Sequence, residues 1–235
     1  ITTTGITLNV FVEYFLYAII LIFGFSILGI LLLSLLKKDV VTELPPLILP
    51  NTGNMGIPIC LFAYGTTGLG IASAIASVII LFHFTIGVFL AKKKFTLSLV
   101  IKNVPTYAII ISILFLYFNL EVPKFVENTT FLLTYATIFL VLMSLGVALT
   151  RLKVKSWNKA IYLGVARVIG GPIIAFFFIK ILNLDGLEAG VLLIQSSMPS
   201  AVLTYLVGSL YSNKKTVDSV ASVIVTSTLM SFITV

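Results

Sequence analysis

Asn51-Thr52-Gly53-Asn54-Met55-Gly56-Ile57-Pro58 lies inside an apolar run, roughly residues 44–66, that otherwise reads as one membrane-spanning helix. Two glycines, a proline and two carboxamides within eight residues are a poor recipe for an unbroken helix. In hydrocarbon, freed backbone groups are tolerated only where protein buries them or where they line a watery cavity. A break at mid-membrane depth therefore reads as a binding site. Gln195-Ser196-Ser197-Met198-Pro199-Ser200-Ala201 interrupts a second apolar run near the other end of the chain. Two interrupted spans at corresponding places in two halves are the sequence pattern of a secondary transporter.

Composition agrees. The 235 residues are 59% hydrophobic and 10% charged, with a mean hydropathy of +1.18, whereas soluble domains carry about 25% charged residues. The class is all-α integral membrane. The formal charge of +7 comes from short basic clusters between apolar runs. That is how topology signals look, and no basic patch interleaved with exposed aromatics points to nucleic acid. Membrane lipid is the expected surrounding, the cell membrane the expected location, and a homodimer is one assembly open to such a chain. Cys60 is the single cysteine, so no intrachain disulfide can form. The chain opens on Ile1-Thr2-Thr3-Thr4 with neither an initiator Met nor a cleavable signal, and it ends in an apolar run at Val235. These features predict a fragment of a longer protein.

Eight apolar segments approach the ~20 residues that a bilayer core demands. They fall at about 9–36, 44–66, 69–91, 104–120, 131–149, 160–182, 187–208 and 216–235. Lys37 and Lys38, then Lys92, Lys93, Lys94 and Lys102, then Arg151, Lys153, Lys155 and Lys159, then Lys214 and Lys215 occupy every second connection. The intervening connections hold only Lys124 and Lys180, beside Glu121, Glu127, Asp185 and Glu188. The positive-inside rule makes the Lys-rich connections cytoplasmic. The two interrupted spans then run in opposite directions, as an inverted repeat requires. Laying Pro58 on Pro199 also lays Asn54 on Gln195 and Tyr64 on Tyr205 at one constant offset. Residues 1–91 would hold the last three spans of an N-terminal repeat, and 92–235 a complete five-span copy.

The Asn51–Pro58 stretch, the later Met198-Pro199-Ser200-Ala201, Arg167 with Pro172 one span earlier, and Ser227-Thr228-Leu229 in the last span resemble the auxin efflux carrier family. The resemblance implies ten spans in two inverted five-helix repeats, with spans four and nine broken and crossing at their prolines. Eight of those spans, three to ten, would be present. Bacterial members include malate permeases and transporters of other organic anions. The implied activity is movement of a small mono- or dicarboxylate, with a non-transporting sensor or a channel on the same frame as the alternative.

The residues themselves suggest how an anion would be held. Pro58 and Pro199 suit the first turn of a helix resuming after an unwound stretch. Asn54 before one, and Ser196 or Ser197 before the other, are good N-cap residues. Each resuming half-helix would aim a partly positive N-terminus at the membrane centre. Asn51, Gly53, Asn54, Gly56, Pro58, Gln195, Ser196, Ser197, Met198 and Pro199 are the expected substrate-binding set, with Asn54 and Gln195 neighbours across the crossing. The bland reading is a packing kink, its glycines permitting close helix contact.

Three ionisable residues stand within apolar spans, where charge is costly. Arg167 could neutralise an anion, anchor the unwound region, or snorkel to the cytoplasmic face. Glu13 is either a proton-coupling carboxylate or a solvated helix end. His83 either titrates near neutrality or is a hydrogen-bonded packing residue. One His and one Cys make no zinc or haem site, and no nucleophile elbow or phosphate-binding loop is present. No metal, cofactor or enzymatic activity is expected.

Overall fold

Prolines decide where the two interrupted helices of this chain stop. In the computed structural model, which describes residues 4–92 and 103–235, α1 (Leu8–Leu35) is capped by Thr7, whose hydroxyl accepts from the Val10 N–H. Asp39 caps α2 (Val40–Ile48) in the same way, through the Val41 N–H. α2 ends because a residue before proline is disfavoured in the helical region: Leu49, preceding Pro50, is extended at φ −97°, ψ 100°. A single wide turn, Thr52–Gly56, then resumes the helical course with i→i+5 bonding, Gly56 N–H to the Asn51 carbonyl at 3.1 Å. α3 (Ile57–Phe82) continues it, with Pro58 in the first turn where no N–H is needed.

α3 is not straight. Gly65 adopts φ +65°, ψ −155°, which only glycine enters at no steric cost. The chain folds back there, so that a Cβ added to Gly68 would lie 2.6 Å from the Cys60 carbonyl oxygen. A straight helix would hold those two residues about 12 Å apart. Gly65 thus divides the expected spans 44–66 and 69–91. A second wide turn, His83–Gly87, leads into α4 (Val88–Lys92). The expected basic residues Lys93, Lys94 and Lys102 lie outside the described residues.

The second half comprises α5 (Val104–Tyr117), α6 (Lys124–Arg151), α7 (Trp157–Leu182), α8 (Gly186–Ser197), α9 (Val202–Tyr211) and α10 (Lys214–Thr234). α8 stops for the reason α2 does. Met198, preceding Pro199, is extended at φ −61°, ψ 142°. Among the described residues, five helical stretches are long and apolar enough to cross a membrane: α1, Thr52–Lys92, α6, α7 and α10. The protein is an all-α, multi-pass integral membrane protein.

α1 lays Phe11, Tyr14, Ala18 and Ile22 on Ile71, Ile75 and Val78 of the second arm of α3, with Leu192 of α8 in the same cluster. Leu33, Leu44, Leu47, Leu163 and Val223 join α1, α2, α7 and α10 in another. The partners recur in a pattern. α1 packs on α2 and α3, α7 packs on α8 and α10, α3 meets α8, and α2 meets α10. α6 stands apart, with only Ile138 and Leu145 of its length buried.

Candidate functional site at the helix crossing

The two interrupted spans meet at their breaks. Pro50 and Ser200 face each other as an antiparallel bridge. The Asn51 N–H donates to the Pro199 carbonyl at 2.8 Å, and the Ala201 N–H donates to the Leu49 carbonyl at 3.1 Å. Each break therefore satisfies the other's backbone, which neither could do alone in an apolar setting.

The remaining loose carbonyls find side chains. Pro50 has no N–H, so the Pro46 carbonyl lacks its helical donor, and the Ser200 hydroxyl supplies one at 2.5 Å. The Ser200 N–H in turn donates to Ser227 Oγ at 3.1 Å. Arg167, 2% exposed, takes three more. Its Nη1 donates to the Leu47 carbonyl at 3.2 Å, its Nη2 to Ser196 at 2.6 Å and its Nε to Met198 at 3.1 Å. Both half-helices that end here, α2 and α8, present the negative pole of their dipoles to this guanidinium. Its other face stacks on the Phe25 ring at 4.7 Å. Gly171, one turn along α7, allows the approach, since a Cβ there would overlap the Ser196 carbonyl.

Two half-helices also begin at the crossing: the Thr52–Gly56 turn leading into α3, and α9 from Val202. Their first N–H groups have no partner within the helix and favour negative charge. Around them, Asn51 Nδ2, Thr52 Oγ1 and Gln195 Oε1 are buried with no protein hydrogen-bond partner. Thr52, Gln195, Ser196 and Arg167 share a small cavity of ≈ 40 Å³. Gly53 and Pro58 instead line a cavity of ≈ 320 Å³ against α6, whose Thr130, Thr134 and Thr137 complete its polar wall. A third cavity, ≈ 1020 Å³, opens on the basic face between Lys92, Lys155, Lys159, Lys214 and Lys215, and reaches Leu49 at the crossing.

Several expectations need correction. Pro50, not Pro58, breaks the first span, and Ser200 rather than Pro199 faces it, so the Pro58–Pro199 register does not describe the crossing. Asn54 lies inside the wide turn and is no N-cap; Asn51 holds that position without a side-chain cap bond. Ser196 and Ser197 belong to α8, where the Ser197 hydroxyl donates back to the Leu193 carbonyl, and the N-cap of α9 is Ala201. Gln195 donates to Cys60 Sγ at 3.7 Å and packs on Gly56, where any Cβ would overlap its amide. No hydrogen bond joins it to Asn54, which is half-buried. Arg167 neither snorkels nor waits unpaired; it anchors the unwound region.

Glu13 is exposed on α1, its carboxylate accepting from the Tyr17 hydroxyl at 2.5 Å. Among the described residues the buried acid is Glu43, which is 1% exposed and bonded to Lys159 and the Ser219 hydroxyl. A span drawn from residue 44 leaves Glu43 just outside. An acid two residues before the Pro45-Pro46 pair, at the edge of an apolar run, was the available signal. His83 is buried and hydrogen-bonded, Nδ1 to the Ile79 carbonyl at 2.8 Å and Nε2 to Thr204 Oγ1 at 3.2 Å.

Comparison with known proteins fixes the family. The family model described as "Membrane transport protein" matches residues 88–235, which include Arg167, Pro199 and Ser200. The chain belongs to this family of membrane transport proteins. The auxin efflux carrier motifs pointed to the same family. An uncharacterized transporter of Methanocaldococcus jannaschii is 32% identical over 175 residues, covering 69% of this chain and 56% of the relative. The chain thus spans about half the length of the curated relative it matches. In this membrane transport protein, the matched region supplies α8 and α9 of the crossing, and Leu49, Pro50 and Asn51 supply the opposing side of the bridge.

Proposed function

We propose that the protein is a secondary carrier of a small organic anion, a mono- or dicarboxylate, working by alternating access around the crossed, broken helices. One observation carries this reading: the Pro50–Ser200 bridge, at which two half-helices end on Arg167 and two begin with free N–H groups. A positive charge held by the half-helix C-termini steadies the crossing. The N-termini remain for the ligand. Asn51, Asn54 and Gln195 stand beside them as hydrogen-bonding amides, and the lysines around the ≈ 1020 Å³ cavity raise the local concentration of anions.

The packing pattern supports an inverted repeat as the frame. The pairs α1–α3 and α7–α10 correspond, as do α1–α2 with α7–α8 and α3–α8 with α2–α10. One such half rocking against its surroundings would expose a fixed site alternately to the two faces. Radiolabelled malate uptake into proteoliposomes is the test. A carrier saturates and shows counterflow when unlabelled malate is loaded inside. A channel shows neither, and a sensor moves no malate.

A further inference from the structure

Resting on the carrier reading above, we infer that His83 is the group that takes up a proton together with the anion. His83 opens the second wide turn of the chain, His83–Gly87, and such i→i+5 turns recur at functional sites. Its ring lines the ≈ 1020 Å³ basic cavity together with Thr204. The Ile79 carbonyl can only accept, so Nδ1 carries the hydrogen of that 2.8 Å bond, and Nε2 is the nitrogen that gains or loses a proton. Its partner, Thr204 Oγ1 at 3.2 Å, donates to a neutral imidazole and, after rotating, accepts from a charged one. The contact survives both states, so proton uptake needs no rearrangement of the helices.

The surroundings tie that proton to an anion. Thr204 lies in the first turn of α9, whose N-terminus favours negative charge. None of the acids lining the same cavity hydrogen-bonds the ring. Asp39 caps α2 and accepts from the Thr42 hydroxyl, Glu43 pairs with Lys159, and Asp218 pairs with Lys155 at 2.7 Å. Lys92, stacked over the Tyr211 ring, and Lys214 and Lys215 complete the titratable lining, all of the lysines positive. A carboxylate entering this cavity supplies the counter-charge that an imidazolium requires there. By reciprocity, the proton then raises anion affinity by the factor that the anion raises proton affinity. One proton and one anion bind and leave together, which makes the carrier a proton symporter.

Titration calorimetry of malate into the purified protein, repeated in buffers of different ionisation enthalpy, reads the proton directly. Above about pH 6 both malate carboxyls are ionised, so any proton taken up belongs to the protein. The expected wild-type result is uptake approaching one proton per malate, with affinity falling by up to about tenfold per pH unit. His83→Gln keeps a donor for the Ile79 carbonyl and is expected to bind malate with no uptake and a flat pH profile. Thr204→Val leaves the imidazole in place and is expected to retain uptake over a displaced pH range. Malate binding without proton uptake by the wild type, or uptake undiminished in His83→Gln, would overturn the coupling role and leave the carrier reading standing. No malate binding at any pH would overturn that reading, and the coupling with it.

Discussion

Arg167 Nη1 donates to the Leu47 carbonyl across 3.2 Å, joining α7 to the cut end of α2. The same guanidinium holds the cut end of α8 through Ser196 and Met198. One side chain thus fixes the position of both half-helices, because a planar fork can point donors in several directions at once.

Arg167→Leu strips donors from three carbonyls, of which those of Leu47 and Met198 are buried and cost about 1–3 kcal/mol each when left unsatisfied. Thermal unfolding in detergent is expected to show a protein that is barely folded. Arg167→Lys restores charge and a compact donor but not the fork, and is expected to fall between the two. An unchanged melting temperature in Arg167→Leu would show that the carbonyls find other partners.

Much of this was legible beforehand. Hydropathy located the spans, because a bilayer leaves few alternatives to apolar helices, and the interruptions near Asn51 and Pro199 stood out against that background. The register of the crossing was not legible. The motif drew the break to residues 51–57, and its Pro58 does open the resuming helix as expected, but the crossing itself lies at Pro50, which acts through the residue before it. Arg167's role depended on which carbonyls came within reach, and sequence spacing does not carry that. Glu43 and Thr204 were overlooked because each matters through a partner more than a hundred residues away, Lys159 and His83.

That contrast between prolines is testable. Pro50→Ala restores an N–H and frees Leu49 to become helical, so α2 can run on and the bridge to Ser200 is lost. Pro58→Ala replaces a tolerated first-turn residue by a good helix former and is expected to change stability by less than about 1 kcal/mol. A cysteine pair placed at Leu49 and Ala201, which keeps both prolines and Ser200, would report the crossing, since the Ala201 N–H donates to the Leu49 carbonyl: cross-linking there is expected, and its absence would contradict the geometry.

Glu43 and Lys159 make an asymmetric pair, the carboxylate 1% exposed and the ammonium side chain 31% exposed. Lys159→Met leaves a buried carboxylate with only the Ser219 hydroxyl, at an expected cost of about 3 kcal/mol. Glu43→Gln leaves the lysine free to reach water and should cost about 1 kcal/mol. Denaturation of both variants checks the order, and equal losses would mean that Glu43 is better solvated than its burial implies.

Gly171 and Gly56 both sit where a Cβ would overlap a neighbour, but the neighbours differ. Gly171→Ala meets the Ser196 backbone and is expected to cost about 1–3 kcal/mol through displacement of α8. Gly56→Ala meets the movable amide of Gln195, so stability should change less and malate binding more. Reversed effects in melting and binding assays would place the ligand away from Gln195.

The central claim is that the anion binds where the broken helices cross, and equilibrium malate binding to purified Asn54→Leu protein tests it most directly. Asn54 lies in the turn that opens the first half-helix, half-buried and outside the bridge, so the change leaves the crossing itself intact. Losing one hydrogen bond to a charged partner costs about 1.5–3 kcal/mol, or roughly one to two orders of magnitude in affinity at ~1.4 kcal/mol per tenfold. A drop of that size in a variant that melts like the wild type is the expected result; undiminished binding would put the anion site elsewhere.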